Sequence, residues 1–150
     1  VINKKVLIAY ASMSENTEEV AKIIEEQLVK KGFGVDMLYI GINSQIGKID
    51  EEAYRAVFIG TYTWDLGFAP DEISDFAEVN DFKNTEVYSF GTGETQFGDD
   101  LFCVASDKIA KYYNSPTSVL KIEQSPRGRQ ENKVIEWVEK VTRNMNRTRD

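Results

Sequence analysis

The chain has 150 residues, 41% of them hydrophobic and 29% charged, with one cysteine and no histidine. Such a length suits one compact domain that buries roughly two thirds of its unfolded surface without a metal or disulfide staple; the missing histidine excludes Ser-His-Asp and Cys-His pairs, His-ligated zinc and imidazole proton shuttles, and the lone Cys103 excludes an internal disulfide or a CxxC centre. The net charge of -7 is unevenly placed, with 21 acids against 11 bases in residues 1–126 and 4 against 7 in residues 127–150, so most of the surface disfavours nucleic acid and the basic end reads as a solvated helix face or a partner contact.

The longest apolar runs are about six residues, against the roughly 20 needed to span a bilayer, and the stretch after Lys4 and Lys5 is too short for a signal sequence. A cytoplasmic protein with no membrane partner is expected. Lys5–Tyr10, KVLIAY, is apolar without alternation, the pattern of a strand buried on both faces of a parallel sheet. From Asn16 the period changes: Val20, Ile23, Ile24 and Leu28 share one helical face, Asn16 and Glu19 have capping-box spacing, and Lys30, Lys31 and Gly32 supply a favourable last turn and stop. Further strands are expected at residues 35–40, 56–60, 86–90 and 118–122, with a short helix or turn in 41–53. Helical spacing recurs at Ile73, Phe76 and Ala77; at Leu101, Val104, Ala105, Ile109 and Tyr112; and at Val134, Trp137, Val138, Val141 and Met145. Five strands alternating with helices predict a three-layer, doubly wound α/β sandwich with right-handed crossovers, whose ligands bind at the carboxyl ends of the strands.

Three loops therefore matter. The first, Ala11-Ser12-Met13-Ser14-Glu15-Asn16-Thr17, places hydroxyls and an amide between a strand end and a helix start. Backbone N–H groups there and the helix dipole can hold a phosphate without cations, although the same residues could simply cap the helix. Neither a Walker loop nor GxGxxG is present, and Glu15, Glu18 and Glu19 would repel an anion, so binding must come from directed hydrogen bonds. The second loop, Thr61-Tyr62-Thr63-Trp64-Asp65-Leu66-Gly67-Phe68-Ala69-Pro70, is unusually aromatic; Trp64 either packs beneath it or offers a flat wall to a planar cofactor. The third, Gly91-Thr92-Gly93-Glu94-Thr95-Gln96-Phe97-Gly98, combines flexible backbone with another aromatic, and its amides can reach the polar edges of a ring.

With Ser12-Met-Ser-Glu-Asn-Thr17, Thr63-Trp64 followed by Pro70-Asp71-Glu72, and Phe90-Gly-Thr-Gly-Glu-Thr with Phe97 and Phe102-Cys103, the chain resembles the short-chain flavodoxins over essentially its whole length. That resemblance implies a five-stranded parallel sheet of order 2-1-3-4-5 and noncovalently bound FMN. It assigns Ser12, Ser14, Asn16 and Thr17 to the 5′-phosphate, with backbone amides from Met13 and Glu15; Thr61 and Thr63 to the ribityl and phosphate end; Trp64 to the inner ring face; Phe97 to the outer face; and Gly93 and Glu94 to the pyrimidine edge. It also carries Tyr62, Asp65, Gly67, Phe90, Gly91, Thr92, Asp100, Phe102 and Cys103 into the cofactor set, with Asp99 and Asp100 acidifying the rim and Cys103 a small buried hydrophobe rather than an attacking thiol. Phe97 stands where the family usually has tyrosine, which keeps the stacking surface and loses the phenol. Asp65 stands where many members have glycine; a non-glycine adopts such a turn at higher cost, so a less stabilised one-electron-reduced flavin is expected.

The resemblance implies an electron-transfer protein rather than an enzyme: FMN carries the redox chemistry, and the chain sets its potential and meets a NAD(P)H-dependent flavodoxin reductase and acceptor enzymes through transient electrostatic contacts. A low potential is expected, because acids at Asp65, Glu94, Asp99 and Asp100 oppose added negative charge. Rival readings are an FMN activator of manganese ribonucleotide reductase, a flavin-dependent quinone or nitro reductase, and a binding module with an empty pocket. A phosphoacceptor domain would want carboxylates after the first strand, where Ala11-Ser12 stands, and an aspartate ending the third, where Ile59-Gly60 stands. A monomer is expected.

Overall fold

A computed structural model describes residues 4–12, 15–41, 46–63, 69–93 and 103–147. The elements are β1 (Lys5–Tyr10), α1 (Asn16–Lys30), β2 (Gly34–Tyr39), β3 (Ala56–Tyr62), α2 (Asp71–Val79), β4 (Glu86–Gly93), α3 (Val104–Tyr113), β5 (Leu120–Glu123) and α4 (Arg129–Arg147). The five strands form one parallel sheet in the order β2-β1-β3-β4-β5, as expected of a doubly wound fold. Its register puts Val6 against Val35 and Ala56, and Phe58 against Tyr88.

Alternation along the strands divides the core into two layers. Val6, Ile8, Ala56, Phe58, Tyr88 and Phe90 face α1 and α4, whose Val20, Ile24, Leu28, Val134, Trp137, Val138, Val141 and Met145 cover them. Leu7, Ala9, Val57, Ile59 and Val87 face the other way, beneath Ile73 and Phe76 of α2 and Ile109 of α3. Both faces being buried explains why the central strands read as continuous apolar runs.

The edges of the elements depart from the sequence expectation in instructive ways. β3 and β4 run on through Thr61-Tyr62 and Gly91-Thr92-Gly93, because the parallel ladder pairs Thr61 with Gly91 and Tyr62 with Thr92. β5 begins at Leu120 rather than 118, and the Ser118 carbonyl instead accepts the Trp137 Nε1–H at 2.9 Å. Among the described residues of 41–53 a 3-10 turn forms at Glu51–Ala53, capped by the Asp50 carboxylate accepting from the Glu52 N–H. Tyr112, expected on the inner face of its helix, is exposed; Tyr113 turns inward instead, and its hydroxyl donates to the Asn80 carbonyl at 2.6 Å. α1 stops where expected, Gly32 taking φ +92 just beyond Lys31.

At the amino edge of the sheet, Arg55 pairs with Glu86 at 3.3 Å and donates to the Met145 carbonyl, while Tyr88 donates to Glu86 at 2.6 Å and accepts from Asn144. These contacts tie the last turn of α4 to the start of β3 and β4, and a cation at a helix C-terminus is favourable there.

Candidate functional site

The carboxyl ends of β1, β3 and β4 meet the start of α1. The Ala11 N–H donates to the Gly60 carbonyl at 3.0 Å, carrying the β1–β3 pairing one residue beyond the strand. Glu15 then takes a left-handed conformation, φ 69 and ψ -9, and leads into α1 with no cap hydrogen bond from its own side chain. The capping box expected of Asn16 and Glu19 is therefore not formed: Asn16 is already the first helical residue, and Ser12 Oγ accepts from the Glu18 N–H at 3.3 Å. The N–H groups of Asn16 and Thr17 stand in the first turn, at the positive end of the helix, and make no i→i−4 bond within it.

The acids around this end are less hostile to an anion than their count suggests. Glu18 accepts from the Tyr10 hydroxyl at 3.2 Å and pairs with Lys22 at 3.7 Å, and Glu19 pairs with Arg127 at 3.5 Å. No Lys or Arg lies between Lys5 and Lys22, so what this segment itself offers an anion is dipoles and hydrogen bonds.

β3 and β4 supply the opposing wall. Thr17 and Thr92, both buried, place their hydroxyl oxygens 2.7 Å apart across 75 residues of sequence. Thr61 is buried and its hydroxyl donates to the Tyr62 carbonyl, whereas Thr63 Oγ1 accepts from the Ala105 N–H at 3.2 Å and so tethers the second loop to the start of α3. The Gly93 carbonyl accepts from the Gln124 N–H at 2.8 Å. Phe90 is fully buried, with its ring 6.4 Å from that of Trp137 on the α4 side, so its side chain serves the core beneath the site.

Two glycines here have packing reasons that the sequence did not reveal. A Cβ on Gly91 would lie 1.9 Å from Ser106 Oγ, and one on Gly60 would lie 2.2 Å from the Phe90 ring. Ser106 is the residue sequence reasoning missed: fully buried, it donates to the Phe90 carbonyl at 3.0 Å, and its own carbonyl accepts from Ser89 Oγ at 2.8 Å, locking α3 against β4. The available signal was a small hydroxyl residue on a helix facing a glycine.

Cys103 precedes α3 in a left-handed conformation and is fully buried; burial pushes its thiol up to about 12, which leaves it protonated and unreactive. Met13, Ser14, Trp64, Asp65, Gly67, Glu94, Phe97, Asp99, Asp100 and Phe102, all expected at or near the cofactor, lie outside the described residues.

Burial, reinforced by Glu18 beside Tyr10 and by Asp36 beside Tyr54, raises both phenols from 10.0 to about 12. The folded chain thus holds these protons more tightly than the unfolded chain, so their contribution to stability is complete below pH 10 and is lost as pH climbs through 12. We expect a thermal midpoint that is nearly flat from about pH 7 to 9 and falls above 10, with a shallower fall in a Tyr10→Phe/Tyr54→Phe variant. Differential scanning fluorimetry across pH checks this, and an equally steep fall in the variant would contradict it.

A flavodoxin family model matches residues 8–114. Probable flavodoxin 2 of Bacillus subtilis (strain 168) is 34% identical over 145 residues, covering 89% of this chain and 91% of that protein. The chain belongs to the flavodoxin family. Among solved structures, oxidised flavodoxin 2 from Bacillus cereus superposes with a TM-score of 0.73 at 31% identity, over 89% of this chain and 94% of that one. A Streptococcus pneumonia flavodoxin superposes with a TM-score of 0.81 at 25% identity, over 93% and 99%. As a flavodoxin, this chain is an FMN-binding electron carrier rather than an enzyme. The described residues fit that cofactor at its phosphate end: the first turn of α1, whose Glu18 N–H is taken up by Ser12, and the Thr17 hydroxyl lie at the carboxyl edge of the sheet, where the helix dipole favours an anion. Among the described residues, no helix is long and apolar enough to cross a membrane.

Proposed function

We propose that this flavodoxin is a low-potential one-electron carrier, a single-domain cytoplasmic monomer that takes electrons from a NAD(P)H-dependent flavodoxin reductase and passes them to acceptor redox enzymes. The observation that carries this reading is the N-terminus of α1, which lies at the carboxyl edge of the sheet beside the ends of β1 and β4. When bound, FMN supplies the one-electron chemistry. Residues 12–17 seat its phosphate through backbone donors and hydroxyls, and the loops after β3 and β4, with Thr61, Tyr62, Thr63, Trp64, Gly93, Glu94 and Phe97, border the ring and exclude water from it.

The potential follows from charge. The chain carries a net charge of -7, and the phosphate seat brings no cation of its own. Acids in the ring loops, at Asp65, Glu94, Asp99 and Asp100, oppose the arrival of further negative charge. The same acids steer basic partner surfaces to the exposed edge, so encounters are brief and weaken as salt rises. Anaerobic redox titration of the FMN-loaded protein tests the reading: we expect the second one-electron midpoint to lie below that of free FMN. A second midpoint equal to or above the free value would refute the low-potential assignment.

A further inference from the structure

The Thr17–Thr92 pair poses a question of proton count. Each hydroxyl has one proton and two lone pairs, and only one proton fits between oxygens 2.7 Å apart. If Thr17 donates, the Thr92 proton is left inside the protein, for Thr92 is 4% exposed and has no other hydrogen-bond partner among the described residues. A buried donor without an acceptor is costly. If Thr92 donates, the spare proton is that of Thr17. Thr17 is itself only 1% exposed, so its proton too needs an acceptor, and a phosphate seated at the start of α1, where the helix dipole favours an anion, is one.

We propose that Thr92 is a positioning residue for the phosphate of FMN: by donating to Thr17 Oγ1 it commits the Thr17 proton to the phosphate, which it does not itself touch. The inference rests on residues 12–17 being the phosphate seat. It also places a contribution to affinity on β4, in the core of the sheet, rather than in the loop. Donation into Thr17 polarises its O–H and strengthens the bond it makes in turn.

The test compares FMN with riboflavin, which lacks the phosphate, by fluorescence titration of the flavin-free full chain. Thr92→Val is close to isosteric and removes only the hydroxyl. We expect it to weaken FMN roughly three- to tenfold and riboflavin less than twofold. Thr92→Ser restores the hydroxyl and should return FMN affinity to within about twofold of the parent. In a Thr17→Val background the Thr92→Val effect should vanish, because the proton being oriented is gone. Equal weakening of both flavins, an unchanged FMN affinity, failure of serine to rescue, or additive losses in the double variant would each overturn the role of Thr92. A parent chain that binds riboflavin as tightly as FMN would overturn the phosphate seat itself, a separate failure read from the unsubstituted protein alone. Should Thr92→Val not fold, Thr92→Ser against Thr92→Cys poses the same comparison, with the cysteine expected to behave as the weakened form because its S–H is a poor donor.

Discussion

Trp137→Ala is expected to lower the stability of the flavin-free chain by about 3–5 kcal/mol, and its thermal midpoint by roughly 6–20 °C. The indole lies edge-on to Phe58, with centroids 5.8 Å apart, and tilted against Phe90, so it joins α4 to β3 and β4 at once. Its Nε1–H also satisfies the Ser118 carbonyl just before β5. Alanine removes the aromatic packing, leaves a cavity among rings that cannot close over it, and frees a partly buried carbonyl. Trp137→Phe keeps one ring while losing the hydrogen bond and part of the indole's packing, and should cost less than alanine, about 1–3 kcal/mol. Urea unfolding followed by far-ultraviolet circular dichroism measures both, and a loss below about 1 kcal/mol for the alanine variant would show that the indole is not the keystone of this layer.

Gly60→Ala is the second large effect, and it acts by crowding. The added Cβ would sit 2.2 Å from Cε2 and Cζ of Phe90, a ring with no exposure and with Trp137 beside it. Either the ring leaves its position or β3 moves away from β4. We expect a loss of about 1–3 kcal/mol, seen as a thermal midpoint lower by roughly 2–12 °C. Shrinking the obstacle provides the control: Phe90→Leu destabilises on its own, yet Gly60→Ala should cost less in that background than in the parent. Strict additivity of the two losses in thermal or urea denaturation would rule out the clash as the cause.

Much of this architecture was legible in the sequence for a simple reason. A central parallel strand is covered on both sides, so Lys5–Tyr10 and the start of β3 read as hydrophobic runs without alternation, and Ile24 or Val141 mark helical faces at their own period. The strand ends were not legible, because Thr61, Gly91 and Thr92 contribute ladder pairs without apolar side chains. Nor was the start of α1: Asn16 and Glu19 have the right spacing for a capping box, but the left-handed turn at Glu15 makes Asn16 helical, a backbone choice that side-chain patterning does not report. The hydroxyls of the first loop suggest an anion seat, whereas the packing between α3, β3 and β4 gave no such sign, since Ser106 and Gly60 matter for what they leave room for. Tyr112 and Tyr113 are adjacent, and helical periodicity alone chose the wrong one to bury.

The hydroxyl pair joining α1 to β4 also dictates an order of assembly. β1 must be flanked by both β2 and β3, and β4 pairs only with β3 and β5, so the strand carrying Thr92 cannot join before residues 56–62 have docked. A chain leaving the ribosome exposes Thr17 early but lacks its partner until 75 further residues have emerged. Contacts so distant in sequence form late, once the intervening loops have closed. A nascent fragment ending before β4 therefore lacks Thr92 and leaves the buried Thr17 hydroxyl without that contact.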